Sequence, residues 1–277
     1  MKISIIYFSQ TGNTKKVAAT IADAFSNQKH NVKLIALKSA SHEDIVSSDL
    51  FGIGCPCFSS QAPTPSKKFI NGLPFLSQKK AFVFATSGAA PGRVLYDLSY
   101  LIRKRGAIII GGFLSRGTLY HPAPCLLGRI PNRPNDEDLS RAKRFANAIN
   151  RHILNNKSGL ISESHHTTLK RKNGFYDLVA LICRDSFLRF ALPKPKHNIQ
   201  KCNKCGLCAK ECPMDNITLN PFPVVSTECI RCYRCLAVCP QKAFNANWWQ
   251  GNIAIQFFYN TVFERWFGDL EPGEPIY

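Results

Sequence analysis

The strongest constraint on this chain is a duplicated run of cysteines towards its carboxyl end. The segment KCNKCGLCAKECPMDNI at 201–217 recurs as ECIRCYRCLAVCPQKAF at 228–244, so each cysteine reappears 27 residues later. Eight of the twelve cysteines lie in these two segments. Disulfide-dense domains are usually small and secreted, whereas clustered cysteines in a chain of 277 residues favour metal binding.

Each half of the repeat reads C-x2-C-x2-C-x3-C-P, the spacing that binds [4Fe–4S] clusters. In this arrangement three thiolates hold one cluster, and the fourth, which precedes a proline, reaches the other cluster. The expected ligand sets are Cys202, Cys205 and Cys208 with Cys239, and Cys229, Cys232 and Cys235 with Cys212. Zinc is the alternative, but zinc sites commonly pair two cysteines with a distant second pair. The run resembles the two-cluster bacterial ferredoxin domain, which implies a small α+β ferredoxin-type fold.

The first 150 residues alternate strand-like and helix-like segments. Apolar runs predict strands at 3–8, 32–37, 50–53, 81–85 and 107–110, the last ended by two glycines. Helical spacing of apolar residues predicts helices at 13–25, 92–105 and 136–154, with a short helix beginning near 66. This order predicts an α/β, doubly wound parallel sheet with helices on both faces.

A loop rich in hydroxyl groups follows the first strand. It is formed by Ser9, Gln10, Thr11, Gly12, Asn13 and Thr14. Hydroxyls and backbone N–H groups at the start of a helix can bind a phosphate, although a simple capped helix start has a similar composition. The loop lacks the lysine of a nucleoside triphosphatase loop and the G-x-G-x-x-G of a dinucleotide site.

Two further loops, GIGCPCFSSQAPTP and ATSGAAPG, follow the third and fourth strands. All three loops lie at the carboxyl ends of parallel strands, where open α/β sheets bind ligands. Together they make residues 1–150 resemble flavodoxin, which implies FMN with its phosphate in the first loop. The resemblance implies that the flavin ring lies between Pro56, Cys57, Phe58 and Ser59 of the second loop and Ser87, Gly88, Ala89 and Gly92 of the third. The third loop lacks the aromatic residue found in many flavodoxins.

The predicted organisation has four parts. A flavodoxin-like domain at 1–155 is followed by a linker and amphipathic helix at 156–196, the ferredoxin-type domain at 197–246 and an aromatic-rich extension at 247–277. The remaining cysteines, Cys55, Cys57, Cys125 and Cys183, have no ligand spacing and are interpreted as core or loop residues. A redox role for the Cys55–Cys57 pair is the less favoured interpretation, since C-x-C is not the usual redox spacing.

The formal net charge of +18 predicts an acidic redox partner, such as an acidic ferredoxin. The basic residues form no long runs and no nucleic-acid motif is present, so we do not expect nucleic acid as a partner. The chain shows no secretory signal and no apolar run long enough for a transmembrane segment, so we expect a cytoplasmic protein.

These features predict an electron-transfer flavo-iron-sulfur protein that passes electrons between two [4Fe–4S] clusters and FMN, and to or from a partner. The alternative is an FMN-dependent reductase of a small organic acceptor, supplied by its ferredoxin domain. The sequence singles out no catalytic residue, because Arg93, Tyr96, Tyr120 and His121 are each more often structural. A protein with vestigial flavin loops, acting in sensing or assembly, is a third possibility.

Overall fold

The computed structural model describes residues 1–88, 91–123, 130–155, 185–249, 253 and 255. The chain divides into two compact units. Of the described residues, the first unit contains 1–119 and 130–155, and the second contains 120–123 together with those from 185 onward. The grouping of 120–123 with the second unit has no signal in the sequence. The four domain limits given above stay predictions.

A five-stranded parallel sheet organises the first unit. Its strands are β1 (Lys2–Tyr7), β2 (Asn31–Ala36), β3 (Leu50–Pro56), β4 (Lys80–Ser87) and β5 (Ile108–Arg116). Their order across the sheet is β2-β1-β3-β4-β5, and every neighbouring pair is parallel. This is the doubly wound order with a switch point between β1 and β3, which confirms the predicted fold class.

Five helices connect or follow these strands. They are α1 (Asn13–Ser26), α2 (His42–Val46), α3 (Thr64–Gly72), α4 (Val94–Lys104) and α5 (Asp136–Leu154). The sequence pattern did not predict α2, a short helix that begins at a capping box in which Ser41 and Asp44 each accept from the other's backbone N–H. Capping of this kind stabilises a helix that is too short to show a clear hydrophobic period.

The predicted end of β5 at its two glycines is wrong, because the strand continues through them to Arg116. A Cβ atom on Gly111 would come within 2.6 Å of the Ile149 side chain of α5. The glycine therefore marks the close approach of a helix to the strand and not the strand's end. A register shift between Ala81 and Phe82 against β5 places a bulge in the same region.

Two apolar cores cover the two faces of the sheet. One is built around Phe51, Ile53 and Val83 with residues of α3 and α4, and the other around Phe82, Phe84 and residues of α1 and α5. Gly52 and Gly54 of β3 leave room for the phenylalanine rings of β4, since a Cβ there would lie 2.2 Å and 2.0 Å from them. The close packing fixes the strands whose ends carry the three loops.

The second unit is built from short elements. They are α6 (Asp185–Ala191), β6 (Lys196–His197), α7 (Leu207–Lys210), β7 (Ile217–Leu219), β8 (Pro223–Val225), α8 (Arg234–Val238) and β9 (Phe244–Asn245). β6 pairs with β9 and β7 with β8, both antiparallel. The predicted amphipathic helix within 156–196 is described only from residue 185, and the aromatic extension only at 247–249, 253 and 255. In the described part of the chain, no helix combines the length and the apolar character needed to cross a membrane.

The sequence repeat is also a repeat of backbone conformation. Left-handed residues occur in pairs 27 positions apart: Lys204 and Arg231, Gly206 and Tyr233, Asp215 and Lys242. α7 and α8 each begin directly after the second of these left-handed positions. Since residues other than glycine rarely adopt this conformation, its recurrence indicates that both cysteine loops follow the same path.

Candidate functional site

The three loops predicted to bind FMN lie side by side at one edge of the sheet. β1 and β4 both pair with β3, and hydrogen bonds continue past the strand ends from Phe8 N–H to Gly54 and from Cys57 N–H to Thr86 (2.9 and 2.8 Å). The loops that leave these strands are therefore neighbours, as the topology requires of a ligand site in an open α/β sheet.

The first loop leaves the start of α1 open to an anion. Gly12 occupies the cap position in the left-handed region at φ 101°, and no side chain caps the helix. The first turn contains no acidic residue but does contain Lys15 and Lys16. The N-terminus of α5 differs in both respects, because the Asn135 side chain caps it and its first turn contains three acidic residues. Free N–H groups and a positive helix end at α1 suit a phosphate.

Two side chains of this loop hold it to β4 and to the segment that follows β5. The hydroxyl of buried Thr14 lies 2.8 Å from that of Thr86 on β4, and the Asn13 amide donates to the Thr118 carbonyl (2.8 Å). Within the loop, the Gly12 N–H donates to the Ser9 hydroxyl at 3.1 Å. Thr86 and Thr118 were not predicted as partners of this loop. They lie 72 and 105 residues along the chain from Thr14 and Asn13, and only the folded sheet brings them close.

The second loop forms a tight turn. Phe58 and Gln61 exchange backbone hydrogen bonds of 3.0 Å, and the two residues between them, Ser59 and Ser60, have φ values of 47° and 63°. Positive φ at both central positions defines a type I′ turn, whose usual residues are Asn and Gly. The half-buried Phe58 ring lies edge-on to Phe8, with the ring centroids 6.0 Å apart.

The third loop is fastened to the second. The Arg93 N–H donates to the Ser60 carbonyl at 2.7 Å. Gly92, at φ 51°, allows the contact, because a Cβ there would lie 2.3 Å from Ser60. Ser87 is buried at the end of β4, Gly88 packs close to Gly117, and Ala89 lies outside the described residues.

A buried carboxylate that the sequence analysis missed joins these two loops. Asp97 is 3% exposed and accepts from the Ala62 N–H (3.1 Å) and from the Arg93 guanidinium (2.6 Å). Lys67 completes the group at 3.5 Å. The pairing with Asp97 and the position of the Arg93 guanidinium 5.2 Å from the Tyr96 ring support a structural role for Arg93.

The cysteines of the second loop do not have the properties of a redox pair. Cys55 is fully buried in the core, and burial raises the pKa of its thiol far above the usual range. Burial also raises the pKa of the Cys57 thiol to about 12, and that thiol donates to the Pro91 carbonyl (3.4 Å). Since the thiolate is the reactive form, both residues fit the predicted core or loop role.

In the second unit, four cysteines surround one cavity. Cys202, Cys205 and Cys208 of the first repeat line it together with Cys239 of the second repeat. In the described residues, no three His, Cys, Asp or Glu side chains meet as they would around a single metal ion. Soft sulfur donors spread around a cavity fit a cluster, which separates its ligands more widely than one ion does.

The other four cysteines also lie together. Cys232 and Cys235 lie close enough to each other, to Cys229 and to Cys212 of the first repeat for their charges to interact. Burial raises the pKa of the Cys232 thiol to about 12, and burial also raises the pKa of the Cys235 thiol. A bound metal would favour the thiolate form of both groups. The structure thus brings together the two predicted sets of four.

Each remote cysteine accepts a backbone hydrogen bond on sulfur. The Asn216 N–H donates to Cys212 Sγ and the Ala243 N–H to Cys239 Sγ, both at 3.3 Å and 27 residues apart. Hydrogen bonds to ligand sulfurs stabilise added negative charge and so tune the potential of a bound cluster.

An aromatic group lies beside the second set of cysteines. The Tyr233 ring contacts His121 and Trp248, with centroid distances of 5.5 and 4.9 Å, and its hydroxyl donates to the Pro193 carbonyl (2.9 Å). Tyr233 is 3% exposed and sits between Cys232 and Arg234 in sequence. Burial lowers the pKa of His121 to about 4, so the imidazole is neutral at physiological pH.

Comparison with known proteins gives two family matches. A flavodoxin domain model matches residues 4–123, and a 4Fe-4S dicluster domain model matches residues 201–244. An uncharacterised protein of Methanocaldococcus jannaschii is 30% identical over 153 residues, which are 54% of this chain and 98% of that protein. A flavodoxin of Megasphaera elsdenii is 29% identical over 39% of this chain and 82% of its own length. The solved structure of an archaeal flavodoxin aligns with a TM-score of 0.46 and 19% identity over 56% of this chain and 99% of that one.

Proposed function

We propose that this chain, which belongs to the flavodoxin family and carries a 4Fe-4S dicluster domain in the same polypeptide, passes electrons between two [4Fe–4S] clusters and FMN. The observation that carries the proposal is the cavity lined by Cys202, Cys205, Cys208 and Cys239. Its fourth sulfur comes from the opposite repeat, as in two-cluster ferredoxins, where the exchange of ligands holds two clusters near each other.

The residues of the first unit suit an FMN. The N–H groups at the start of α1 and the hydroxyls of Ser9 and Thr11 would bind its phosphate, while Gly12 keeps the loop open. The turn at Phe58–Gln61 and the loop at Ser87–Gly92 would flank its ring. When bound, FMN supplies two-electron chemistry that can also proceed in single steps, which matches clusters that carry one electron each.

The residues of the second unit would hold the clusters and set their surroundings. Eight thiolates supply the iron ligands, and the N–H groups of Asn216 and Ala243 stabilise charge at the two remote sulfurs. Tyr233 and its aromatic neighbours exclude water on one side of the second set of cysteines. Water exclusion disfavours added negative charge, so burial and hydrogen bonding act on the potential in opposite directions.

The test is anaerobic purification with iron, sulfide and FMN quantified, followed by rapid mixing. We expect about eight irons and one FMN per chain. After the clusters are reduced by photoexcited deazaflavin, electrons should reach the flavin within a single protein molecule, so the rate should not depend on protein concentration. Reduced clusters beside a flavin that stays oxidised would refute the proposal.

A second candidate, an FMN-dependent reductase of a small organic acceptor, is favoured by one observation. The third loop offers only small side chains, Ser87, Gly88, Ala89 and Gly92, which would leave one ring face less covered. Turnover separates the two functions. A reductase should be reoxidised through many cycles by a quinone or an unsaturated compound, at a rate that saturates with the acceptor concentration. A carrier should instead need a protein partner to be reoxidised.

A further inference from the structure

The two cysteine repeats are equivalent in backbone but differ in where their charges lie. Residues 194–210, which include the first three cysteines of the first repeat, contain five lysines and no acidic residue, a net +5, and the acidic residues Glu211 and Asp215 follow. The equivalent stretch 27 positions on, 221–237, contains two arginines and one glutamate, a net +1. The lysines of the first stretch are all exposed: Lys194, Lys196, Lys201, Lys204 and Lys210. We call them the lysine rim.

The arginines of the second repeat point to protein groups instead of solvent. Arg231 donates to the carbonyls of Leu192 and Arg189 at 3.3 and 3.1 Å. Arg234 pairs with Glu211 at 2.6 Å. Both positions are half-buried, whereas Lys204, the repeat counterpart of Arg231, is exposed. Both arginines near the cysteines of the second repeat are therefore engaged by protein groups, and its exposed lysine, Lys242, lies after the last cysteine.

Access to sulfur follows the same asymmetry. Of the cysteines in the described ranges, Cys205 alone is exposed, and it lies next to Lys204. Its counterpart Cys232 is half-buried and is followed by Tyr233, which packs against His121 and Trp248. Gly206, the residue after Cys205, carries no side chain that could cover it, and a Cβ there would lie 3.4 Å from the Leu219 side chain. Electron transfer between proteins needs close approach, so the exposed residue Cys205 marks where a partner can come near.

We infer that an acidic redox protein docks on the lysine rim and exchanges electrons through the first set of cysteines at Cys205. The inference rests on the proposed function, since it assigns an entry point to the same electron path. Cys202, Cys205, Cys208 and Cys239 would hold the cluster, which would take up the one electron that the reduced acidic protein loses, with no bond or proton transferred. Charge complementarity identifies the partner, because the positive rim steers a negative surface toward Cys205.

The test uses the full, cluster-loaded chain and an acidic bacterial ferredoxin as probe. The double variant Lys201→Glu, Lys204→Glu reverses two rim charges. The matched control, Lys68→Glu with Lys143→Glu, makes the same change in net charge at two exposed lysines of the first unit. Binding of the oxidised proteins is measured by titration calorimetry at low and high salt, and carbodiimide cross-links are mapped by mass spectrometry.

We expect the rim variant to weaken binding about tenfold at low salt and the control to change it little, with the difference lost at high salt. Cross-links should join rim lysines to probe carboxylates. Electron transfer to cytochrome c, a basic acceptor, should become faster in the rim variant, which shows that the variant is folded and that charge sets the rate. Equal losses in both variants, or no loss in either, would overturn the inference.

Two further outcomes are distinguishable. If deazaflavin-reduced clusters fail to reduce the flavin but the rim variant still loses ferredoxin binding, the proposed function fails while the docking surface stands. If the rim binds vesicles of anionic phospholipid and shows no salt-dependent affinity for the ferredoxin, the surface serves a membrane and the inference is wrong.

Discussion

Tyr233 holds the backbone position that Gly206 holds 27 residues earlier, and both are left-handed, with φ values of 56° and 71°. A left-handed tyrosine is unfavourable by about 1–2 kcal/mol relative to glycine. The ring offsets this cost by packing against His121 and Trp248 and by its hydrogen bond to Pro193. Packing has therefore replaced glycine's conformational freedom in one half of the repeat.

Tyr233→Gly should destabilise the second unit despite relieving the backbone. Loss of a buried aromatic ring costs about 3–5 kcal/mol, so after the relieved backbone strain the net loss should be about 1–4 kcal/mol. The measurement is the urea midpoint for loss of cluster absorbance under anaerobic conditions. Tyr233→Phe, which removes only the hydroxyl, should lose about 1 kcal/mol. A gain of stability in Tyr233→Gly would show that the backbone strain outweighs the packing.

Replacing Thr11 with glutamate should weaken FMN binding at least about tenfold, because a carboxylate would stand beside the bound phosphate. Thr20→Glu is the control: it adds the same charge to α1, where the Thr20 hydroxyl donates to the Lys16 carbonyl away from the loop. Affinity is measured by quenching of free FMN fluorescence, and iron content should be unchanged in both variants. Equal affinities in the two variants would place the phosphate elsewhere.

Cys239→Ser should remove the cluster held by the first repeat, although Cys239 lies in the second. Its sulfur lines the cavity with Cys202, Cys205 and Cys208. Iron should fall from about eight to about four per chain, and the electron paramagnetic resonance of the reduced protein should lose the coupling between two clusters. Cys57→Ala, which removes a thiol outside both sets, should leave the iron unchanged. Retention of eight irons in Cys239→Ser would reject the exchanged-ligand arrangement.

Sequence patterns anticipated the parts of the molecule that depend on local chemistry. Apolar periodicity located the five strands, and cysteine spacing predicted the two ligand sets of four, whose members the fold brings near one another. The patterns did not anticipate β5 crossing Gly111, because the reason lies in Ile149 of a later helix. The Asp97 anchor and the packing of His121 on Tyr233 were missed for the same reason: each depends on contacts between residues distant in sequence.

Removal of the clusters should unfold the second unit and spare the first. Among the described residues, the clustered apolar core of the second unit has five buried members, Cys208, Ile217, Val225, Cys235 and Phe244, and two of these are predicted cluster ligands. So small a core needs metal to be stable. All three tryptophans lie beyond residue 247, so their emission reports on this part of the chain. Removal of the clusters with ferricyanide and EDTA should shift the tryptophan emission to the red and leave the FMN affinity unchanged. A red shift accompanied by loss of FMN binding would show that the first unit also depends on the clusters.

His121 should make the second unit sensitive to mild acid. Burial lowers its pKa to about 4 from the ordinary 6.5, so below pH 6.5 the unfolded chain takes up a proton that the folded chain does not. The contribution of His121 to the free energy of unfolding is therefore fully present above about pH 7 and decreases as the pH falls towards 4. Relative to His121→Gln, the wild-type chain should lose about 1–2 kcal/mol between about pH 7 and about pH 5. Both proteins share the acid lability of the clusters, so the difference between their urea midpoints at each pH isolates the effect of His121. If the two midpoints changed in parallel with pH, His121 would not titrate differently in the folded chain.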